Sequence, residues 1–217
     1  MFFRCAHRKF FRRPLRGVAR PFSRLSLFLV NSPLLSGSPL EGETETQKEQ
    51  PKNSKAMVIS KKLEKALNEQ IAAEMWSANL YTSMSFFCEK EGFGGFGSWL
   101  KKQAAEETEH AYMMANFLIQ RGGTAKVSAL KDVPGSWKTL LDMFKAVYAH
   151  ECHVSDLINK LLDIAVADKD KASEDFFWQF VREQVEEEAT ASDIVSKIEK
   201  FGQTALFQLD SKFGERK

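Results

Sequence analysis

Four long stretches of this chain are nearly free of glycine and proline, and in each the apolar residues recur at alternating steps of three and four. That spacing lays a continuous apolar stripe along one face of an α-helix. It predicts helices over about 60–90, 96–121, 137–167 and 171–200, and a short fifth over about 203–212. Gly92, Gly94, Gly95 and Gly97 mark the first break, and Gly122, Gly123, Pro134 and Gly135 a longer second one. Asp168 to Lys171 marks a third break and Gly202 a fourth. Short turns join the first helix to the second and the third to the fourth, so each pair is an antiparallel hairpin. The connection over 122–136 is too long for a tight turn. The expected fold is all-α: a four-helix bundle with one long crossover and a short fifth helix.

The stripes are interrupted in a regular way. The first reads Leu67, Ile71, Glu74, Ala78, Tyr81, Ser85, Cys88, and the second Phe96, Leu100, Gln103, Glu107, His110, Met114, Phe117. The third reads Leu140, Phe144, Val147, Glu151, Val154, Ile158, Leu161, Ala165. The fourth reads Phe177, Phe180, Gln184, Glu187, Ala191, Ile194, Ile198, Phe201. Each is apolar towards its ends and holds a carboxylate near its middle. Glu107 follows Glu74 by 33 positions, and Gln184 follows Glu151 by 33. The chain therefore reads as two copies of one helical hairpin, each supplying a glutamate and then a polar pair at i, i+3.

Four glutamates converging inside an apolar bundle cannot all stay ionised without compensation. They must share protons, meet cations or bind metal. The stripes contain no lysine, and no arginine near their centres. Two divalent ions would balance Glu74, Glu107, Glu151 and Glu187. Carboxylates with one imidazole suit iron or manganese better than a thiolate-seeking metal. Single glutamates combined with a Glu-x-x-His pair form the di-iron carboxylate pattern.

Residues 57–217 resemble a non-haem ferritin of the prokaryotic type. The matching stretches are Leu67 to Glu74 (LNEQIAAE), Glu106 to His110 (EETEH), Glu151, and Glu183 to Glu188 (EQVEEE). The resemblance implies a ferritin-like bundle that oxidises Fe²⁺ with O₂ or H₂O₂ and stores the product as a ferric mineral inside a shell of 24 chains. It implies that Glu74, Glu107 and His110 hold one iron, with Glu107 bridging to a second held by Glu151 and Glu187, and Gln184 beside it. Glu106, Glu183 and Glu186 match a third, adjacent iron site. The fifth helix, with Leu206, Phe207, Leu209 and Phe213, would pack at four-fold axes. The fourth helix carries Gln184-Val-Glu-Glu187 where a bacterioferritin or di-iron oxygenase has a second Glu-x-x-His. Thr108 stands where bacterioferritin has a haem-ligating methionine, so no haem is expected.

Other residues have plainer readings. Tyr81 either bonds a ligand, acts in redox chemistry or is a core tyrosine with its hydroxyl satisfied. His150 and His153 lie off the Glu151 stripe and read as surface or interface residues. Cys88 and Cys152 read as small buried residues, and Met113 and Met114 as core. Two other functions fit the pattern less well: a di-iron oxidase or oxygenase acting on another substrate, and a structural bundle with protonated glutamates.

Charge and composition set the outer bounds. Residues 1–40 hold eight basic residues and no acidic one, and residues 41–56 are polar and too poor in apolar area to fold. Such a leader resembles an organellar transit peptide. A disordered tail, or translated upstream sequence with Met57 as the true start, accounts for it as well. From residue 57 on there are 20 basic and 25 acidic residues, which argues against nucleic acid as a partner. Three scattered cysteines make no disulfide framework and fit a reducing compartment, so a cytoplasmic protein is expected, or an organellar one if the leader is a transit peptide. No apolar run reaches the ~20 residues of a membrane helix.

Overall fold

The computed structural model describes residues 58–215. The leader and its proposed alternatives lie outside that range. Five helices follow one another: α1 (Lys61–Lys90), α2 (Gly94–Gln120), α3 (Leu140–Ala167), α4 (Lys171–Phe201) and α5 (Gln203–Gly214). No strand occurs among the described residues, and no helix there is long and apolar enough to cross a membrane.

Local chemistry explains where the helices start. Ser60 caps α1 by accepting the Leu63 N–H at 3.1 Å. Thr139 caps α3 through Asp142 N–H at 3.0 Å, and Asp170 caps α4 through Ser173 N–H at 3.2 Å. α2 has no side-chain cap of its own at Phe93. Instead Asp210 of α5 accepts the Phe96 N–H at 2.8 Å. This corrects the expected start of α2 near residue 96. Gly94, Gly95 and Gly97 lie inside its first turns rather than in the break. Packing accounts for Gly95, where a Cβ would come within 1.8 Å of the Asp210 carbonyl oxygen, and for Gly97, where it would press on Glu89 and the Ser85 carbonyl. α3 likewise starts at Leu140 rather than about 137, because Thr139 is its cap.

α1 and α2 form one antiparallel hairpin and α3 and α4 the other, with α1 set against α3. The non-helical segment 121–139 returns along α1. Asn68 grips it at one end, donating to the Thr124 carbonyl at 2.9 Å and accepting the Lys126 N–H at 2.7 Å. Ser83 holds the other end, donating to the Pro134 carbonyl at 2.6 Å. Asn68 and Ser83 are about 22 Å apart along the helix, so the crossover runs much of the bundle's length before α3 begins. Arg121 ties the end of α2 to the start of α4, bonding Asp170 at 2.8 Å and Ser173 at 3.2 Å.

The apolar interior is divided in two. One core gathers Met84, Phe96, Leu100, Phe144, Ile194 and the inner face of α5. The other gathers Leu63, Leu67, Met114, Leu118, Ile158 and Phe177. Between them lies a belt holding Glu74, Glu107, Glu151, Gln184 and Glu187. The expected stripes are otherwise buried or, at His110, Phe117 and Glu187, partly buried, with one exposed residue: Phe201, the last residue of α4, where Gly202 turns the chain away with φ +56°. Met113 is 38% exposed and is not core, since it sits one position off the stripe that buries Met114.

Candidate metal centre

The belt contains two facing half-sites, one per hairpin. In the first, Glu74 of α1 and Glu107 and His110 of α2 bring one ligand atom each within 4.8 Å of one another. The i, i+3 spacing of Glu107 and His110 puts both on the inner face of α2. Glu74 is hydrogen-bonded to Glu107, and burial, reinforced by the Glu107 charge, holds its carboxyl well above the usual range. Gln70, one turn earlier on α1, donates to Glu74 at 2.8 Å. His110 stands 3.5 Å from Glu107 through Nδ1 and 3.2 Å from Glu183 through Nε2. Burial alone would depress its pKa, but the bonds to Glu107 and Glu183 outweigh it and push it up to about 10. The same imidazole holds the half-buried Glu183 below its ordinary value.

In the second half-site Glu151 of α3 is buried and accepts the Tyr81 hydroxyl. Gln184 of α4 donates to the Glu151 carboxylate at 3.1 Å and to the Glu151 carbonyl at 3.1 Å. Gln103 of α2 reaches across to donate to Glu187 at 3.2 Å. Burial pushes Glu151 and Glu187 each up to about 7, against the lowering effect of those amide bonds.

Glu74, Glu107 and His110 have the donors and the spacing to hold a metal ion. Burial raises the pKa of three of the belt's acids, and the bonds to Glu107 and Glu183 raise that of His110. Crowded buried acids of this kind favour either bound protons or cations. Oxygen donors with a single imidazole are the set expected for iron.

A model of the ferritin-like domain matches residues 64–201. A bacterial non-heme ferritin of Bacteroides fragilis is 58% identical over 159 residues, which is 73% of this chain and 100% of that protein. A bacterial non-heme ferritin of Campylobacter jejuni is 37% identical over 146 residues, covering 67% of this chain and 87% of that one. An open pore ferritin from the archaeon Archaeoglobus fulgidus superposes with a TM-score of 0.71 at 42% identity, covering 73% of this chain and 98% of that chain.

The chain belongs to the ferritin family.

Iron storage is the function that comes with that membership. Within this ferritin the belt unites Glu74, Glu107, His110, Glu151, Gln184 and Glu187, the six residues singled out from the sequence. The other three lie at its edge. Glu183 turns to His110, while Glu106 and Glu186 are exposed on α2 and α4.

Two residues were misjudged or missed. His150, expected at the surface or an interface, is partly buried within the chain. Its Nε2 is bonded to the Ser77 hydroxyl at 2.8 Å, and its ring packs edge-on to Tyr81 with centroids 5.9 Å apart and against Trp76 at 5.5 Å. Burial lowers its pKa. It lies off the Glu151 stripe, yet α1 packs on that flank of α3 and covers it. His153, one turn further round, is exposed as expected. Gln70 went unnoticed because it precedes the apolar Ile71 on the stripe. The signal that would have found it is its spacing, four residues before Glu74, the same interval that separates Gln103 from Glu107.

Proposed function

We propose that this ferritin is a ferroxidase that oxidises Fe²⁺ at the belt and stores the product as a ferric mineral inside a shell of 24 chains. Glu74, Glu107 and His110 hold the first iron and Glu151 and Glu187 the second, with Gln184 beside it and Glu107 as the bridge. The observation that carries the reading is the compact triad of Glu74, Glu107 and His110, its two glutamates buried, with Glu151 and Glu187 close enough to feel one another's charge and, at Glu187, that of Glu107. Iron held as a pair supplies the redox chemistry: two Fe²⁺ give one electron each to one O₂, which takes two protons to become H₂O₂, or to one H₂O₂, which takes two protons to become two waters.

The chain's own residues do the rest. Glu74, Glu151 and Glu187 release protons as they take up cations, and His110 gives up its proton to present a ring nitrogen. Tyr81 and Gln184 hold the Glu151 carboxylate in place from two sides. The apolar cores above and below the belt limit access of bulk water. A second half-site without imidazole binds Fe³⁺ less firmly, which favours transfer to the mineral. Glu106, Glu183 and Glu186 form a third iron position on the way. In the shell, Phe207, which is 79% exposed on α5, meets its symmetry mates at a four-fold axis. The inner face of the same helix, with Leu206, Leu209 and Phe213, is already buried against its own bundle.

Native mass and iron content of the purified protein test the reading together. A closed assembly near 24 chains that retains many irons per chain is expected. A monomer or simple dimer under iron-free and iron-loaded conditions alike would refute storage.

A further inference from the structure

We propose that Gln103 is a positioning residue that sets the second metal position from the opposite hairpin, and that Gln70 does the same for the first. The inference rests on the two-iron reading and extends it to residues that would not touch iron.

The belt has a wide side. No Cα of α2 lies within 8 Å of one in α4, although each helix is closely packed on its own hairpin mate. Across that gap near the belt run two polar bonds, Gln103 to Glu187 at 3.2 Å and His110 to Glu183 at 3.2 Å. Glu187 reaches into that gap and meets Gln103 there. A glutamate has three side-chain torsions, and fixing them costs entropy. The Gln103 amide supplies a restraint from the opposite helix. It is itself 8% exposed, on the rigid middle of α2. It bonds Glu187 Oε2, and a carboxylate retains free lone pairs for a cation when one oxygen accepts such a bond.

The hairpin repeat makes the arrangement more telling. Gln70 and Gln103 occupy equivalent positions of the first hairpin's two helices, 33 residues apart. The corresponding positions of the second hairpin are Val147 and Phe180, both apolar and buried. The second hairpin thus has no amide of that kind for Glu187. Gln70 serves its own helix by bonding Glu74, whereas Gln103 serves the other hairpin. The two half-sites are therefore not independent: the first hairpin carries a part of the second hairpin's site. Groups that hold a metal ligand from outside typically change metal affinity by ~10- to ~100-fold when removed.

The test is anaerobic titration of the full chain with Co²⁺, which does not undergo the oxidation, followed by calorimetry and the visible absorption of bound Co²⁺. Wild type should take up two Co²⁺ per chain in the belt. Gln103→Met keeps the volume and removes the donor; Gln103→Asn keeps the donor and shortens its reach. Both should weaken one Co²⁺ by ~10- to ~100-fold and leave the other unchanged. Gln70→Met should weaken the other. In a Glu187→Ala background, Gln103→Met should change Co²⁺ affinity no further, because the group it holds is gone. Melting of the apo forms shows whether a variant is folded. Unchanged affinities in both folded Gln103 variants, or an equal loss of both ions that persists in the Glu187→Ala background, would overturn the inference and leave the two-iron reading intact. A wild-type protein that binds no pair of Co²⁺ would overturn both.

Discussion

The two hairpins share a spacing and differ in chemistry. Both set a glutamate on the first helix and a polar pair 33 and 36 residues later on the second. In the first the pair is Glu107 and His110, in the second Gln184 and Glu187. The first half-site is compact, with three ligand atoms within 4.8 Å, and it holds the belt's imidazole. The second is made of two carboxylates and an amide, and its outer supports come partly from elsewhere: Tyr81 of α1 on Glu151 and Gln103 of α2 on Glu187. A repeated backbone can thus present one firm and one looser position at the same height. For a protein that must both capture iron and pass it on, that asymmetry is chemically useful.

The largest effect is expected from breaking the link between the halves. Glu107→Ala removes the proposed bridge, and the initial rate of Fe²⁺ oxidation at two irons per chain should fall at least ~10-fold, since the ions are no longer held as a pair. Stopped-flow absorbance reads this directly. The same change should alter apo stability little, because relief of the crowding on Glu74 is offset by loss of the His110 partner. If the apo protein instead unfolds while any folded fraction oxidises iron at the normal rate, Glu107 is structural.

Making the halves alike is the complementary experiment. The pair Gln184→Glu and Glu187→His gives the second hairpin the first one's motif. The first two-iron turnover should be retained within a few-fold, whereas release of Fe³⁺ should slow, so that repeated additions of Fe²⁺ are oxidised progressively less rapidly, by ~10-fold. Equal rates over successive additions would mean that the missing histidine has no part in turnover.

Acidity separates the apo bundle from the metal-bound one. Glu151 and Glu187 move from an ordinary 4.5 to about 7 on folding, and His110 from 6.5 to about 10. In each case the folded chain holds more protons than the unfolded one between the two values. Apo stability should therefore fall as pH rises through about 4.5–7 on account of the glutamates and through about 6.5–10 on account of the histidine. Metal uptake displaces those same protons and should tighten over the same range. The melting temperature of the apo protein should drop across that range, while Co²⁺ affinity rises. Calorimetry in buffers of different ionisation enthalpy would count the protons released. A rise in apo melting temperature with pH would contradict the assignment of bound protons to the belt.

The smallest effect is expected from the leader. A chain starting at Met57 should melt and oxidise iron as the full chain does, since 1–56 adds no stripe to either hairpin. A loss of assembly on truncation would give that segment a structural role.

Much of this was legible because helical periodicity is a local property. The four stripes located the helices to within a few residues, and the carboxylates at matched heights located the belt, since a polar residue on a buried stripe is placed by the same spacing that buries its neighbours. What the periodicity missed depended on who packs against whom. Gly95 looked like a helix breaker and proved to be the close approach of α2 to α5. Its α-helical conformation needs no glycine; the Asp210 carbonyl beside it does. His150 lies off its own helix's stripe and is covered by α1. Gln103 was on the stripe, but nothing local could say that its amide would cross to Glu187 rather than bond Glu107 on its own helix.

By itself, then, the sequence determined the number of helices, the two-hairpin repeat, the six residues of the belt and the acid-rich chemistry that makes a metal pair the natural counter-charge. The tertiary structure alone decided the crossover's path along α1, the division into two apolar cores, and which side chain restrains which ligand. The physical reason is that stripe membership follows from 3.6 residues per turn, whereas a hydrogen bond across a gap depends on the distance between helices that no single helix encodes.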